Sequence, residues 1–74
     1  MGGTLLDAGR TACGDLILLI FQRMREMQPG DRLIVHAYDE GADMDIPAWC
    51  RSTGNRLVEA HTAENPKQFL IQKN

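Results

Sequence analysis

The chain has 74 residues, 43% of them hydrophobic, and a formal charge of −2 from eight basic and ten acidic side chains. That length holds one domain, residues 1–74, and leaves no room for a second. The slight acidity and the sparse aromatics (Phe21, Tyr38, Trp49 and Phe69) argue against direct nucleic-acid binding, which favours a basic, aromatic-lined surface.

A chain this short buries only about 60% of its unfolded surface, so it needs an economical core. The apolar run Leu16–Phe21 is far below the ~20 residues that span a bilayer, and no membrane association is expected. Two cysteines cannot build a disulfide framework, and the opening residues do not read as a signal peptide. Leu6 stands where myristoylation favours Ser or Thr. The expected setting is reducing and cytoplasmic, with free thiols.

Thr4–Asp7 reads as a short strand, followed by a turn through residues 8–12 to Cys13 and Gly14. From about Asp15 to Gln28 the pattern is helical. At 100° per residue Ile17, Ile20, Phe21, Met24 and Met27 gather on one face. Leu19 is expected to point away from that face and Leu18 to lie at its margin. Pro29 and Gly30 end the segment in a type II turn. Residues 32–38 read as a strand, with Leu33, Val35 and Ala37 on one face and Ile34, His36 and Tyr38 on the other.

An acidic loop is expected over Asp39–Asp45. A second helix should follow, with Asp45 as its cap, Pro47 in its first turn and Gly54 at its left-handed C-terminal position. Ile46, Trp49, Cys50 and Thr53 share the spacing of a core face. Residues 56–62 and 67–73 are alternating strands joined by a hairpin-like turn. The order β-α-β-α-β-β predicts an α/β (α+β) two-layer sandwich. Its four-stranded mixed sheet should carry both helices on one face and leave His36, His61 and Ile34 on the bare one.

Cys13 is the candidate reactive residue. A thiolate is the nucleophilic form of cysteine, and a helix start offers unpaired N–H groups and a positive dipole end that favour an anion. Gly14 keeps the approach open and retains a backbone N–H, while the charge of Asp15 opposes a thiolate. The alternative reading is a small residue at a strand–helix junction. Leu18 and Leu19, with Arg10, Arg23 and Arg25 as a rim, suggest a docking patch; a wider buried stripe accounts for the same residues. Cys50 reads as a core thiol. His36 and His61 lack metal-ligand spacing, so no metal and no cofactor is expected.

The segments "MQPGDRLIVHAYD", "DMDIPAWCRSTGNRLVEA" and "FLIQK", taken together, resemble the TusA/SirA-type sulfur-carrier proteins, over roughly Thr4 to Lys73. The resemblance implies a βαβαββ sandwich that accepts sulfur as a cysteine persulfide. It implies a donor such as a cysteine desulfurase and an acceptor in tRNA thiolation, cofactor synthesis or sulfur metabolism. The family's carrier cysteine opens a Cys-Pro-x-Pro motif. Here Cys13 matches by position, but the chain reads Cys13-Gly14-Asp15-Leu16, without either proline. Asp7 keeps its spacing to the cysteine, whereas Arg10 replaces the family glycine and Gly9 lies one place early. The expected function is a sulfur carrier of sulfurtransferase type rather than a self-sufficient enzyme. The alternative is a regulatory or interaction module on the same fold in which Cys13 is incidental.

Overall fold

A computed structural model of the chain describes residues 4–9 and 13–74, with residues 13 and 14 described by their backbone alone. The elements follow the expected order: β1 (Thr4–Asp7), α1 (Cys13–Arg25), β2 (Arg32–Ala37), α2 (Ala42–Thr53), β3 (Arg56–His61) and β4 (Lys67–Gln72). The strands make one mixed sheet in the order β1-β2-β4-β3. β1 and β2 are parallel, so α1 must cross over between them; β4 is antiparallel to both β2 and β3. α2 then carries the chain from the middle of the sheet to its far edge.

Alternation along β2 decides which face is covered. Leu33, Val35 and Ala37 are fully buried, and Leu6, Phe69 and Ile71 join them from the neighbouring strands. α1 adds Leu16, Ile20 and Met24, with Met27 just beyond its end; α2 adds Ala42, Ile46 and Cys50. All lie in one cluster, so both helices cover the same sheet face, as the sequence predicts. No polar or charged residue is buried among those described. Full burial of each large side chain here contributes about 1.5–3 kcal/mol.

The phase of α1 differs from expectation. Its buried stripe is Leu16, Ile20, Met24 and Met27, whereas Ile17 is half-buried and Phe21 is exposed. Ile20, Met24 and Met27 stay in the stripe, and its centre is turned by about 40°. Phe21 instead lies beneath the Arg25 guanidinium, 5.7 Å from its ring centroid. Leu19, expected to point away, is half-buried against the core, and Leu18 is the exposed one at 51%. The helix also starts earlier and ends earlier than residues 15–28. After Arg25 the N–H groups of Glu26 and Met27 bond to the carbonyls of Arg23 and Met24, a tightening that ends the helical run. The Gln28–Asp31 turn follows as expected, with Gly30 at φ 93° and the Asp31 N–H on the Gln28 carbonyl at 2.9 Å.

The start of α2 is a second correction. The helix begins at Ala42, inside the expected acidic loop, and its N-cap is Gly41 without a side-chain cap. Asp45 therefore lies in the first turn rather than at the cap, and Pro47 lies inside the helix. Proline has no N–H, so it cannot donate to the Asp43 carbonyl one turn back. Asp39 closes this junction instead. Its carboxylate accepts from the Gly41 N–H at 3.0 Å and its carbonyl from the Ala42 N–H at 3.2 Å. Thr53, expected on the core face, is exposed, and its hydroxyl donates to the Trp49 carbonyl at 2.8 Å. Gly54 ends the helix at φ 80°, as its position predicts.

Candidate functional site

The site is built at the edge where β1 and β2 end. These strands are parallel, so both of their following loops leave the sheet there. Each loop opens with the same turn. Asp7 accepts from the Gly9 N–H at 3.0 Å, as Asp39 accepts from Gly41. In each case a carboxylate bonds the backbone two residues on, which bends the chain away from the strand. Gly9 adopts φ 58°, which a residue with a Cβ rarely does. The Ala8 N–H bonds to the His36 carbonyl at 3.0 Å, tying the start of this loop to β2.

Only three residues separate Gly9 from Cys13, the first residue of α1. The opening N–H groups of a helix have no intrahelical partners, and the dipole places about half a positive charge there. Gly14 retains its N–H where proline would have none. Asp15 is exposed in the first turn, where its charge suits the helix and opposes an anionic neighbour. Asp45 occupies the first turn of α2, at the same edge of the sheet.

Of the expected docking residues, Leu18 presents its side chain to solvent, whereas Leu19 is half spent on the core. Arg10 lies outside the described residues. Arg23 and Arg25 belong to the last turn of α1, about 15–18 Å along its axis from Cys13; Arg23 lies one turn beyond Leu19 and Arg25 two turns beyond Leu18. Sequence reasoning passed over Asp7 and Asp39 as loop-formers. The signal was available in Asp7-Ala8-Gly9 and Asp39-Glu40-Gly41, an aspartate two residues before a glycine at the end of each strand.

Cys50 is different in kind. It is buried and free, 3% exposed, in the last turn of α2. Burial pushes its thiol up from 9.0 to about 11, an effect that the neighbouring Arg51 charge only partly offsets. The thiol is therefore protonated and inert at neutral pH. His36 is half-buried and His61 exposed on the bare sheet face, as expected, and His61 pairs with Glu59 at 2.9 Å. No described helix is long and apolar enough to cross a membrane. The sulfurtransferase TusA family model matches residues 4–73, nearly the whole chain. With the βαβαββ sandwich and Cys13 at the opening of the first helix, this match places the chain in the TusA sulfurtransferase family.

Proposed function

We propose that the protein is a sulfur carrier that takes up sulfane sulfur on Cys13 and passes it to a protein acceptor. Membership of the TusA family supports this reading, and Cys13, at the start of α1, is the cysteine that matches the carrier by position in the resemblance. In the loading step the Cys13 thiolate attacks the outer sulfur of a persulfide on the donor, a protein such as a cysteine desulfurase. A new S–S bond forms on Cys13, the donor's S–S bond breaks, and its electron pair leaves with the donor thiolate. No external oxidant or reductant enters. Delivery repeats the exchange with an acceptor nucleophile.

The carrier brings little machinery of its own. The helix start favours the anion, Gly14 leaves the approach to sulfur open, and the first turn of α2 with Asp45 borders the same edge. Geometry and specificity then come from the partners. Leu18, with Leu19 beneath it and Arg10 before Cys13, is the surface that a donor or acceptor would grip. These exchanges suit a cytoplasmic, reducing setting in which free thiols persist.

Intact-mass measurement after incubation with a cysteine desulfurase and cysteine tests the proposal. Wild type should gain the mass of one sulfur, reversibly with reductant, and Cys50→Ala should gain it equally. Cys13→Ser should gain none. Leu18→Glu should fold normally and load more slowly. A wild type left unmodified by a competent donor, or a Cys13→Ser variant that still loads, would refute the assignment.

A further inference from the structure

The helices cover one face of the sheet and leave the other bare. Strand register resolves the bare face into three rows. The central row runs Leu5, Ile34, Leu70 and Glu59 from edge to edge. Beside it lie Asp7, His36, Gln68 and His61 on one side, and Arg32, Gln72 and Arg56 on the other. The central row has relief. On β1, Leu5 stands 54% exposed. Towards the opposite edge a hollow of about 120 Å³ is lined by Ile34, Glu59, His61, Gln68, Phe69 and Leu70. At ~30 Å³ for each water-sized unit, that holds about four heavy atoms, the size of a leucine side chain. Within the four described strands Leu5 is the one large apolar side chain counted as exposed; Tyr38, one residue past β2, is exposed at 44%.

A knob on one edge and a hollow near the other suit a two-fold axis between them. Such an axis, parallel to the strands and midway between β2 and β4, lays β1 of one copy over β3 of the other. Strand directions are kept, as in aligned sheet packing at ~10 Å separation. Leu5 then reaches the hollow of the second copy, and Ile34 meets Leu70. Asp7 falls opposite His61, Arg32 opposite Gln72, and Glu59 opposite Leu5. No carboxylate meets a carboxylate and no arginine meets an arginine. Each contact occurs twice, as an isologous interface requires.

We propose that two copies of this chain pair through their bare sheet faces, Leu5 of each seating in the hollow framed by Ile34, Leu70, Glu59 and His61 of the other. Four strands of up to six residues present about 20 by 19 Å, or about 400 Å² from each copy. That is about half of the ~800 Å² per partner in a stable complex, so the dimer is a weak one that forms with concentration. The helix layer, and Cys13 with it, stays on the outside. Pairing is thus independent of the carrier reading, and either can fail without the other.

Sedimentation velocity under reductant, from about 10 µM to about 1 mM, spans the affinities of such interfaces. The mass should rise from 8.3 kDa towards twice that value. Leu5→Glu should raise the dissociation constant at least about tenfold, while Leu18→Glu on the helix layer leaves it unchanged. Amide NMR of the wild type over the same range requires no variant. Shifts should concentrate at Leu5, Ile34, His61 and Leu70. A chain that stays at 8.3 kDa at the highest concentration, shifts centred on the helices, or a dimer indifferent to Leu5→Glu would each overturn the proposal.

Discussion

The two strand-to-helix connections at the carboxyl edge of the sheet use the same opening and reach different ends. Asp7 and Asp39 each bend the chain with one carboxylate–N–H bond two residues on. After Asp39 the chain enters α2 at once, and its first helical residue, Ala42, is fully buried. After Asp7 five residues, rather than two, precede α1, which opens on Cys13. The thiol of the second unit lies instead in the last turn of its helix, packed in the core. One unit thus carries its cysteine at the positive end of a helix, and the other carries it at the negative end under apolar cover. On the carrier proposal, placement along a helix, rather than residue type, decides which thiol serves the chemistry.

Native-state alkylation is the sharpest way to break that comparison. A thiol at about 11 is ionised to about one part in 3,000 at pH 7.5, against about one in thirty at the ordinary value of 9.0. Ionisation alone should slow Cys50 by about a hundredfold relative to an unperturbed thiol, and burial adds to this, so Cys13 should label far faster. The check is the rate of iodoacetamide labelling in Cys13→Ser and in Cys50→Ala. Comparable rates in the two variants would remove the distinction.

The second effect is on stability at high pH. The folded-state Cys50 thiol at about 11 lies above its ordinary value of 9.0. Between those values the unfolded chain has lost the proton and the folded chain still holds it, so stability falls as pH rises. Below about pH 9 both states are neutral and the residue contributes no slope. Above about 11 the loss is complete, at about 2–3 kcal/mol. Urea unfolding of wild type and Cys50→Ala from pH 8 to 11 should show the stability difference between them drifting by that amount. A constant difference would mean that the thiol is less enclosed than its 3% exposure indicates.

These contrasts were partly readable in the sequence. Leu33, Val35 and Ala37 alternate with polar or less buried positions, so β2 and its covered face were fixed by period alone. Pro29-Gly30 and Gly54 marked chain reversals that few other residues accept. The phase of α1 was not readable, because Leu16–Phe21 is apolar at every position and satisfies several helical faces equally. Packing of Leu16 and Ile20 into the core chose among them. The entry to α2 failed for a related reason. Asp39, Asp43 and Asp45 were all chemically able to cap, and Pro47 drew the expected start too far along the chain. For the site, Cys13 rested on position and family resemblance, since Gly14 and Leu16 stand where the prolines would have marked it.

Asp15 carries the smallest and most discriminating prediction. It stands in the first turn of α1, two residues after Cys13. A carboxylate there interacts favourably with the helix dipole by about 0.3–1 kcal/mol, and by the same sign it competes with a Cys13 thiolate for the unpaired N–H groups. Asp15→Asn should therefore move two properties in opposite directions. Stability should fall by a few tenths of a kcal/mol to about 1 kcal/mol, read from the urea midpoint. Alkylation of Cys13 at pH 7.5 should speed up about two- to fivefold, the same free energy expressed as thiolate population. Cys50 labelling in the same samples provides the internal control, because its rate depends on its cover and not on the start of α1. If stability falls while Cys13 labelling is unchanged, Asp15 serves the helix alone and has no hold on the sulfur.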